Sequence, residues 1–441
     1  MAGWLRRMVG APTVRSSTAP PTQHTASQQR VPEAAAAPLQ PVHAVQFTTR
    51  RPLVSTQGAI AGYEFRLAGA VEQRLRQRSD PVAQAAHAIA LLSSMRETIA
   101  ASRVAMTSMP AEVLARPAVM EAASLAYVVL EPPAEPAQAN ATTLEGRSRG
   151  LRIGVHADPA QAMTNCDFIV LRCGDQGLPD LEEQVAHWRS LHPALPLVAL
   201  DLNGIDELER CLALNVTLAS LRLQSLSNPT SRQAPRPAVA LICRVLAQLR
   251  DECHGADVAR QLGADVALSY RLLRWVNSPA FGLTRSVTSI EEAVMLLGHG
   301  GLNRWLSIAL LANADGRRAS RALQEVSLAR ARFMEMLAAD RGRDPPQALF
   351  TVGLLSLLDQ LLQTPMAEAL APLHLSDPAM QALLQRRGPW TDYLALASDI
   401  EANRMASAES CAAAFGGLEA ALRKSHEAWQ WAASIMQTLQ A

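Results

Sequence analysis

Apolar and polar positions follow three successive patterns along the chain. Residues 1–42 hold six prolines among Ser, Thr, Gln and Ala, without helical or strand period. Such a composition cannot offset the entropy of ordering by burial, so a disordered leader is expected there. From 43 to 228, short apolar runs alternate with helical stretches. Strands are predicted at 42–47, 104–106, 127–130, 151–155, 168–171 and 197–200, and helices at 81–100, 111–123, 181–191 and 205–214. Strands and helices alternating at this spacing predict parallel βαβ units, in a barrel or an open sheet. About 185 residues is short for a complete eightfold barrel.

After Ser227-Asn228-Pro229 the strand-like runs stop, which marks a domain boundary, and residues 229–441 read as helices broken by Gly, Pro, Asn and Ser. Helices are predicted at 238–249, 256–262 and 266–276, the last opened by Asp265 as N-cap and closed by Asn277-Ser278-Pro279. Ser289-Ile-Glu-Glu292 has the form of a capping box, and Gly298 is the expected stop of the helix it begins. Further helices are predicted at 302–312, 321–339, 347–362, 365–373, 378–386 and 390–401, with one or two between 410 and 439. The fold class is therefore α/β plus all-α.

Composition narrows the function. With 49% hydrophobic and 18% charged residues, the chain can bury ordinary cores. Residues 43–228 carry 16 basic and 19 acidic side chains, and 229–441 carry 21 and 20. Neither segment has the basic surplus that nucleic-acid binding needs, so no nucleic-acid partner is expected. Lys424 is the only lysine, which excludes a phosphate loop of the Gly-Lys-Ser/Thr kind. The longest uncharged apolar run, 348–358, fits a buried helix and not a membrane span. Six scattered cysteines without a CxxC pair, and no signal-peptide stretch after the first arginines, predict reduced thiols and a cytoplasmic protein.

Residues 258–312 closely resemble the HDOD domain of bacterial signalling proteins. The landmarks are Asp265-Val-Ala-Leu-Ser269, Asn277-Ser278-Pro-Ala-Phe281-Gly282, Ser289-Ile290, Ala293, Leu297-Gly298 and Trp305, and the match continues through Gly353 and Asp359 to cover about 230–435. HDOD domains are similar to HD-type metal phosphohydrolases that lack the metal ligands. Two metals need clustered His and Asp, yet no His-Asp dipeptide occurs, and Ser356-Leu-Leu-Asp359 stands where an HD enzyme has His-Asp-Ile-Gly. The resemblance assigns Asn277, Ser278, Phe281, Gly282, Ser289 and Gly298 a structural or partner-binding role. Asn277 can end its helix in the left-handed conformation and bond the last carbonyls. Alternatively, its turn presents Phe281 and Trp275 to a partner.

The preceding region resembles a degenerate EAL domain, the barrel of cyclic di-GMP phosphodiesterases. Gly62-Tyr63-Glu64 takes the place of the family's Gly-x-Glu-Ala-Leu opening, but Phe65 and Arg66 stand where Ala and Leu belong. The strand within 150–157 ends in His156 where the family has Asp-Asp. Asp167 to Val170 aligns where a catalytic lysine belongs, and no Gln-Gly strand is seen near 213–222. The resemblance implies no working metal site and no cofactor. Glu64 and Glu131 are the carboxylates left in plausible places, and Glu64 is read as a vestige bonding nearby backbone or Arg66.

Other candidates have plainer readings. His299 in Gly298-His-Gly-Gly301 lies in a helix stop, and His187 and His192 are spaced wrongly for a zinc pair. Cys173-Gly-Asp-Gln-Gly177 is a loop, and Trp305, Trp429 and Trp431 are core or interface residues. The expected function is non-catalytic signal transduction through contacts with other signalling proteins. The alternative is a non-hydrolysing sensor of cyclic di-GMP or another nucleotide, and a working phosphodiesterase is disfavoured by the missing ligands.

Overall fold

The computed structural model describes residues 48–67, 80–131, 136–157, 165–173, 181–221, 237–250, 255–278, 281, 285–314, 317 and 320–440. The leader at 1–42, the strand expected at 42–47, the junction at 227–229, Gly282 and most of the 173–177 loop lie outside them.

Strands β1 (Thr48–Ser55) and β2 (Ile60–Leu67) form a hairpin, and six further strands follow in parallel: β3 (Val104–Met109), β4 (Tyr127–Leu130), β5 (Arg152–His156), β6 (Phe168–Arg172), β7 (Leu197–Leu202) and β8 (Leu218–Leu221). They close into a barrel because β1 also pairs antiparallel with β8 at Val54 and Ser55. Pro52 stands beyond that short β8 ladder, where a missing N–H is tolerated. The helices between strands are α1 (Pro81–Ala100), α2 (Ala111–Leu114), α3 (Pro117–Ala122), α4 (Pro136–Ser148), α5 (Leu181–Leu191) and α6 (Ile205–Ala213).

The shortened barrel expected from length is thus corrected to a complete one of eight strands, four to eight residues each. Short connections make the room. The helix predicted at 111–123 is two pieces, because Pro117 forces Arg116 into extended backbone at φ −73°, ψ 131°.

Alternation along the strands sets the barrel interior. Leu53, Met106, Val129, Val170 and Leu200 join one buried cluster with Leu218, a dry floor contributed by six strands. Two residues beyond that floor, the inward position becomes polar: Ser108 after Met106, Glu131 after Val129, Arg172 after Val170, and Arg51 on antiparallel β1. On β7 the register shifts between Ala199 and Leu202, and Asp201 takes φ 65° within that irregularity. A non-glycine residue in this region is uncommon and collects at sites with a role beyond packing.

Contacts divide the chain into two compact units, one of Val45–Cys253 with Arg304–Ala441, the other containing His254–Asn303. In the first, the barrel and α7 (Pro237–Arg250) are joined by the helices from residue 304 onward. The second holds α8 (Gly255–Gly263), α9 (Val266–Val276) and the start of α10 (Ile290–Ala314). Then follow α11 (Ser320–Arg341), α12 (Pro346–Leu355), α13 (Leu358–Leu362), α14 (Met366–Leu370), α15 (Asp377–Met380), α16 (Thr391–Glu401), α17 (Met405–Ala412) and α18 (Leu418–Gln440). The single helix expected at 347–362 breaks at Ser356-Leu357 into α12 and α13.

α11 is the axis of the helical part, buried along most of its length and packed on α12 and α18. Gly353 of α12 meets Ala331 of α11 so closely that a Cβ would lie 2.7 Å from Ala331 Cα. Gly353→Ala is expected to lower stability by about 2 kcal/mol through overpacking, read as a fall in the urea midpoint. An unchanged midpoint would mean that the two helices part freely.

β1 carries the barrel onto these helices, touching α11, α16 and α18. Arg50 donates to His426 O at 2.8 Å and lies over the rings of Tyr63 and Trp429. Tyr63 Oη donates to Glu325 and accepts from Arg103 Nη1 at 3.1 Å. Burial raises Glu325 above the usual carboxylate range, against the opposing influence of Tyr63, Arg103 and Arg50. Trp305 and Trp429 are buried, so of the two readings of these tryptophans the core is where both sit.

Candidate functional site

The polar ring above the barrel floor is where chemistry can be placed, since side chains from several strand ends converge there. Asp201 is its centre. Its Oδ1 accepts from Arg51 Nη1 at 2.5 Å and from Arg66 Nη2 at 2.9 Å, and its Oδ2 from Arg172 Nη1 at 2.6 Å. Glu64, 1% exposed, accepts from Arg66 Nε at 2.8 Å, while its Oε2 has no hydrogen-bond partner among the described residues. Glu64 thus bonds Arg66, one of the two partners read for it from sequence. Burial pushes Asp201 upward, but Arg66, Arg51 and Arg172 outweigh it and hold the carboxyl at about 2.

A cavity of about 420 Å³ opens in front of this cluster. Arg66, Arg172, His156 and Ser108 line one side, and Phe65, Leu67, Leu91, Met109 and Val113 give it apolar walls. Glu131 and Glu112 also line it, as does Asn403 from the turn after α16. Burial, with Arg172 nearby, pushes His156 down to about 4, against a smaller upward pull from Glu64. Its imidazole is neutral at pH 7.

The donor set does not fit a divalent cation. Such an ion needs several free carboxylate or imidazole ligands, whereas Glu64 and Asp201 both already face guanidiniums. Among the described residues, no group of three or more His, Cys, Asp or Glu is placed to hold a metal ion. Asp167, where a lysine was sought, serves the scaffold: it accepts from Arg147 Nε at 3.1 Å and from Ile153 N at 2.9 Å.

A second buried ion cluster lies at Ser356, the position compared above with the HD dyad. Arg330 of α11 donates from Nη1 to Ser356 Oγ at 2.8 Å and forks onto both oxygens of Glu401. Both charged side chains are about 95% buried or more, at 3% and 5% exposure. The two clusters meet through Arg51, whose Nε donates to Glu401 O at 3.3 Å. At Glu64 and at Ser356 alike a guanidinium binds the group present: Arg66 holds the carboxylate and Arg330 the hydroxyl.

The remaining predicted positions belong to the unit containing 254–303. Asp265 caps α9 by accepting from Leu268 N at 3.0 Å, and Ser289 Oγ accepts from Glu292 N at 3.1 Å. Glu292 turns to Arg285 at 2.7 Å. The left-handed cap expected at Asn277 is corrected. At φ −81° it keeps a negative φ, and its amide exchanges two 2.8 Å bonds with Val287 backbone, tying the end of α9 to the residues just before α10. Ser278 O accepts from Phe281 N at 3.0 Å, and Phe281 is half-buried. Gly298, at φ 61° and ψ −178°, breaks the helix as expected, but helix resumes at once, so α10 is kinked and not ended. His187 and His192 flank Trp188 with ring centroids 5.3 and 6.2 Å away.

Asp201, Arg172 and Arg51 were not singled out from sequence. The available signal was positional: Asp201 ends the apolar run Leu197-Val-Ala-Leu, and Arg172 lies one strand period after Val170.

Comparison with known proteins gives the helical half a family. Residues 237–374 match the HDOD domain, which the chain therefore contains. The chain is similar to the uncharacterized protein YuxH of Bacillus subtilis (strain 168), 32% identical over 148 residues, covering 33% of this chain and 36% of that protein. It is also similar to the cyclic di-GMP phosphodiesterase CdgJ of Vibrio cholerae serotype O1, 32% identical over 133 residues, covering 30% and 31%. The chain thus matches about a third of the length of these curated relatives. Among solved structures, an EAL domain protein from Listeria monocytogenes EGD-e aligns with a TM-score of 0.32 and 11% identity, over 40% of this chain and 85% of that one.

Proposed function

We propose that this chain is a non-catalytic signal-transduction protein of the cytoplasm, in which a vestigial EAL-like barrel and an HDOD bundle act through contacts with other signalling proteins. One observation carries the reading: Asp201 is bound by three guanidiniums at 2.5, 2.9 and 2.6 Å. Hydrolysing a phosphodiester with metals needs carboxylates free to hold the ions and a base to activate water. Here the acids neutralise arginines, and His156 sits at a strand end without a carboxylate neighbour on its own strand. The HDOD match and the cyclic di-GMP enzyme among the relatives support a signalling context. Incubation with cyclic di-GMP in magnesium or manganese is expected to leave the dinucleotide intact. Turnover that Glu64→Ala abolishes would overturn the reading.

A second reading, a sensor that binds cyclic di-GMP or another nucleotide without hydrolysing it, draws on the cavity in front of Arg66 and Arg172.

A further inference from the structure

The cavity at the barrel mouth has an order of charge from back to front. Glu64 and Asp201 do not line it, whereas the arginines they hold do. The acids therefore act as a rear anchor that fixes two guanidiniums with their remaining N–H groups forward. Arg66 uses Nε and Nη2 on the two carboxylates, and its Nη1 donates to no group among the described residues. Arg172 uses Nη1 on Asp201 and reaches Ser108 Oγ only at 3.5 Å with Nη2. Their side chains are 23% and 34% exposed. A guanidinium has five donors in a planar fork suited to phosphate oxygens, and these two share Asp201, which sets them side by side.

The rest of the cavity complements a small body attached to that anion. Leu91, Met109 and Val113 offer apolar surface, while Glu131 and Glu112 can accept from hydroxyl or amine groups. Its volume of about 420 Å³ lies within the range of small-molecule sites. The strained φ of Asp201, 65°, independently marks the anchor as a position held for more than packing.

We propose that this cavity is a metal-independent site for a phosphate monoester of nucleoside size, its phosphoryl oxygens taken by Arg66 and Arg172 and its body by the apolar wall and the two glutamates. The proposal rests on the non-catalytic reading, because it needs guanidiniums where a cation would otherwise stand. No bond is made or broken: the ligand is held and released.

The test is calorimetric titration of the full chain with AMP and GMP, once in EDTA and once in magnesium, with inorganic phosphate and adenosine as controls. At least one nucleotide is expected to bind at a single site with the same affinity in both buffers. Phosphate alone and the nucleoside alone should each bind at least about tenfold more weakly, a loss of about 1.4 kcal/mol. Arg172→Gln should weaken the nucleotide about tenfold or more, and Ser108→Ala should leave the thermal melt in place while costing a few-fold in affinity. Binding that requires magnesium, phosphate binding as tightly as the nucleotide, or affinity indifferent to Arg172→Gln would each overturn the proposal, as would silence up to about 5 mM of both nucleotides. Failure of the parent reading registers separately, as metal-dependent turnover of cyclic di-GMP.

Discussion

Asp201→Asn is expected to destabilise the protein by about 3 kcal/mol at pH 7, since removing one partner of a buried ionic cluster leaves the others uncompensated. Three arginines depend on this carboxylate, and Arg51 among them is 6% exposed in its side chain. Asparagine tolerates the positive φ of 65° at this position, so the loss isolates charge from backbone strain. The wild type should also show a matching acid slope. Against the upward push of burial, Arg66, Arg51 and Arg172 hold its Asp201 carboxyl at about 2 in the folded state, well below the usual carboxylate range. A depressed folded-state pKa contributes stability that is complete above about pH 4 and drains away as pH falls toward 2. The size follows from about 1.4 kcal/mol per pKa unit, roughly 2 kcal/mol in all. Urea melts of both proteins between pH 7 and 2 measure it. A loss under about 1 kcal/mol at pH 7, or a slope that persists unchanged in the variant, would remove Asp201 from the centre of the mouth.

Glu401→Gln is expected to cost about 4 kcal/mol, the larger figure because both it and Arg330 are almost wholly buried. A neutral amide keeps one accepting oxygen but turns an NH2 donor toward the other N–H of the fork, and it leaves the Arg330 guanidinium charged in a dry environment with no counter-charge on its partner. Ser356 itself donates to Gly353 O at 2.7 Å and stays satisfied, so the damage concentrates on the arginine. The double variant Arg330→Met, Glu401→Leu should regain most of the loss, as apolar replacement of a buried pair commonly does. Denaturant midpoints of the two single variants and the double variant close the cycle. If the single variant melts with the wild type, the pair is solvated in solution.

Local signals carried the helices well. Asp265 and Ser289 were legible because a cap is chosen by the residues that follow it within one turn. The strand at 48–55 was not: Thr-Thr-Arg-Arg-Pro hides its inward positions, which only the barrel's closure makes apolar or ionic. Length argued against eight strands, and the argument failed because α2 and α3, four and six residues long, suffice between β3 and β4. At the site, Glu64 was found through its motif and His156 and Glu131 through their strand ends. Asp201, Arg172 and Arg51 come from three separate strands, and nothing short of the tertiary fold says that they share one charge centre.

The hold that α11, α16 and α18 keep on β1 bears on how this protein can be taken apart. Arg50, Arg51, Tyr63 and Glu325 are all buried, at 8%, 5%, 2% and 1% exposure, across the line between barrel and helices. A barrel expressed by itself would bare Arg50 of its first strand and Tyr63 of its second without their helical partners, Arg51 would lose the Glu401 carbonyl, and the helices would present Glu325 without the tyrosine that donates to it. The two halves are separate in the pattern of their sequence and inseparable in their solvation. Dissection into free-standing modules, the usual way of assigning activities in multidomain chains, would therefore study pieces that the intact molecule never exposes.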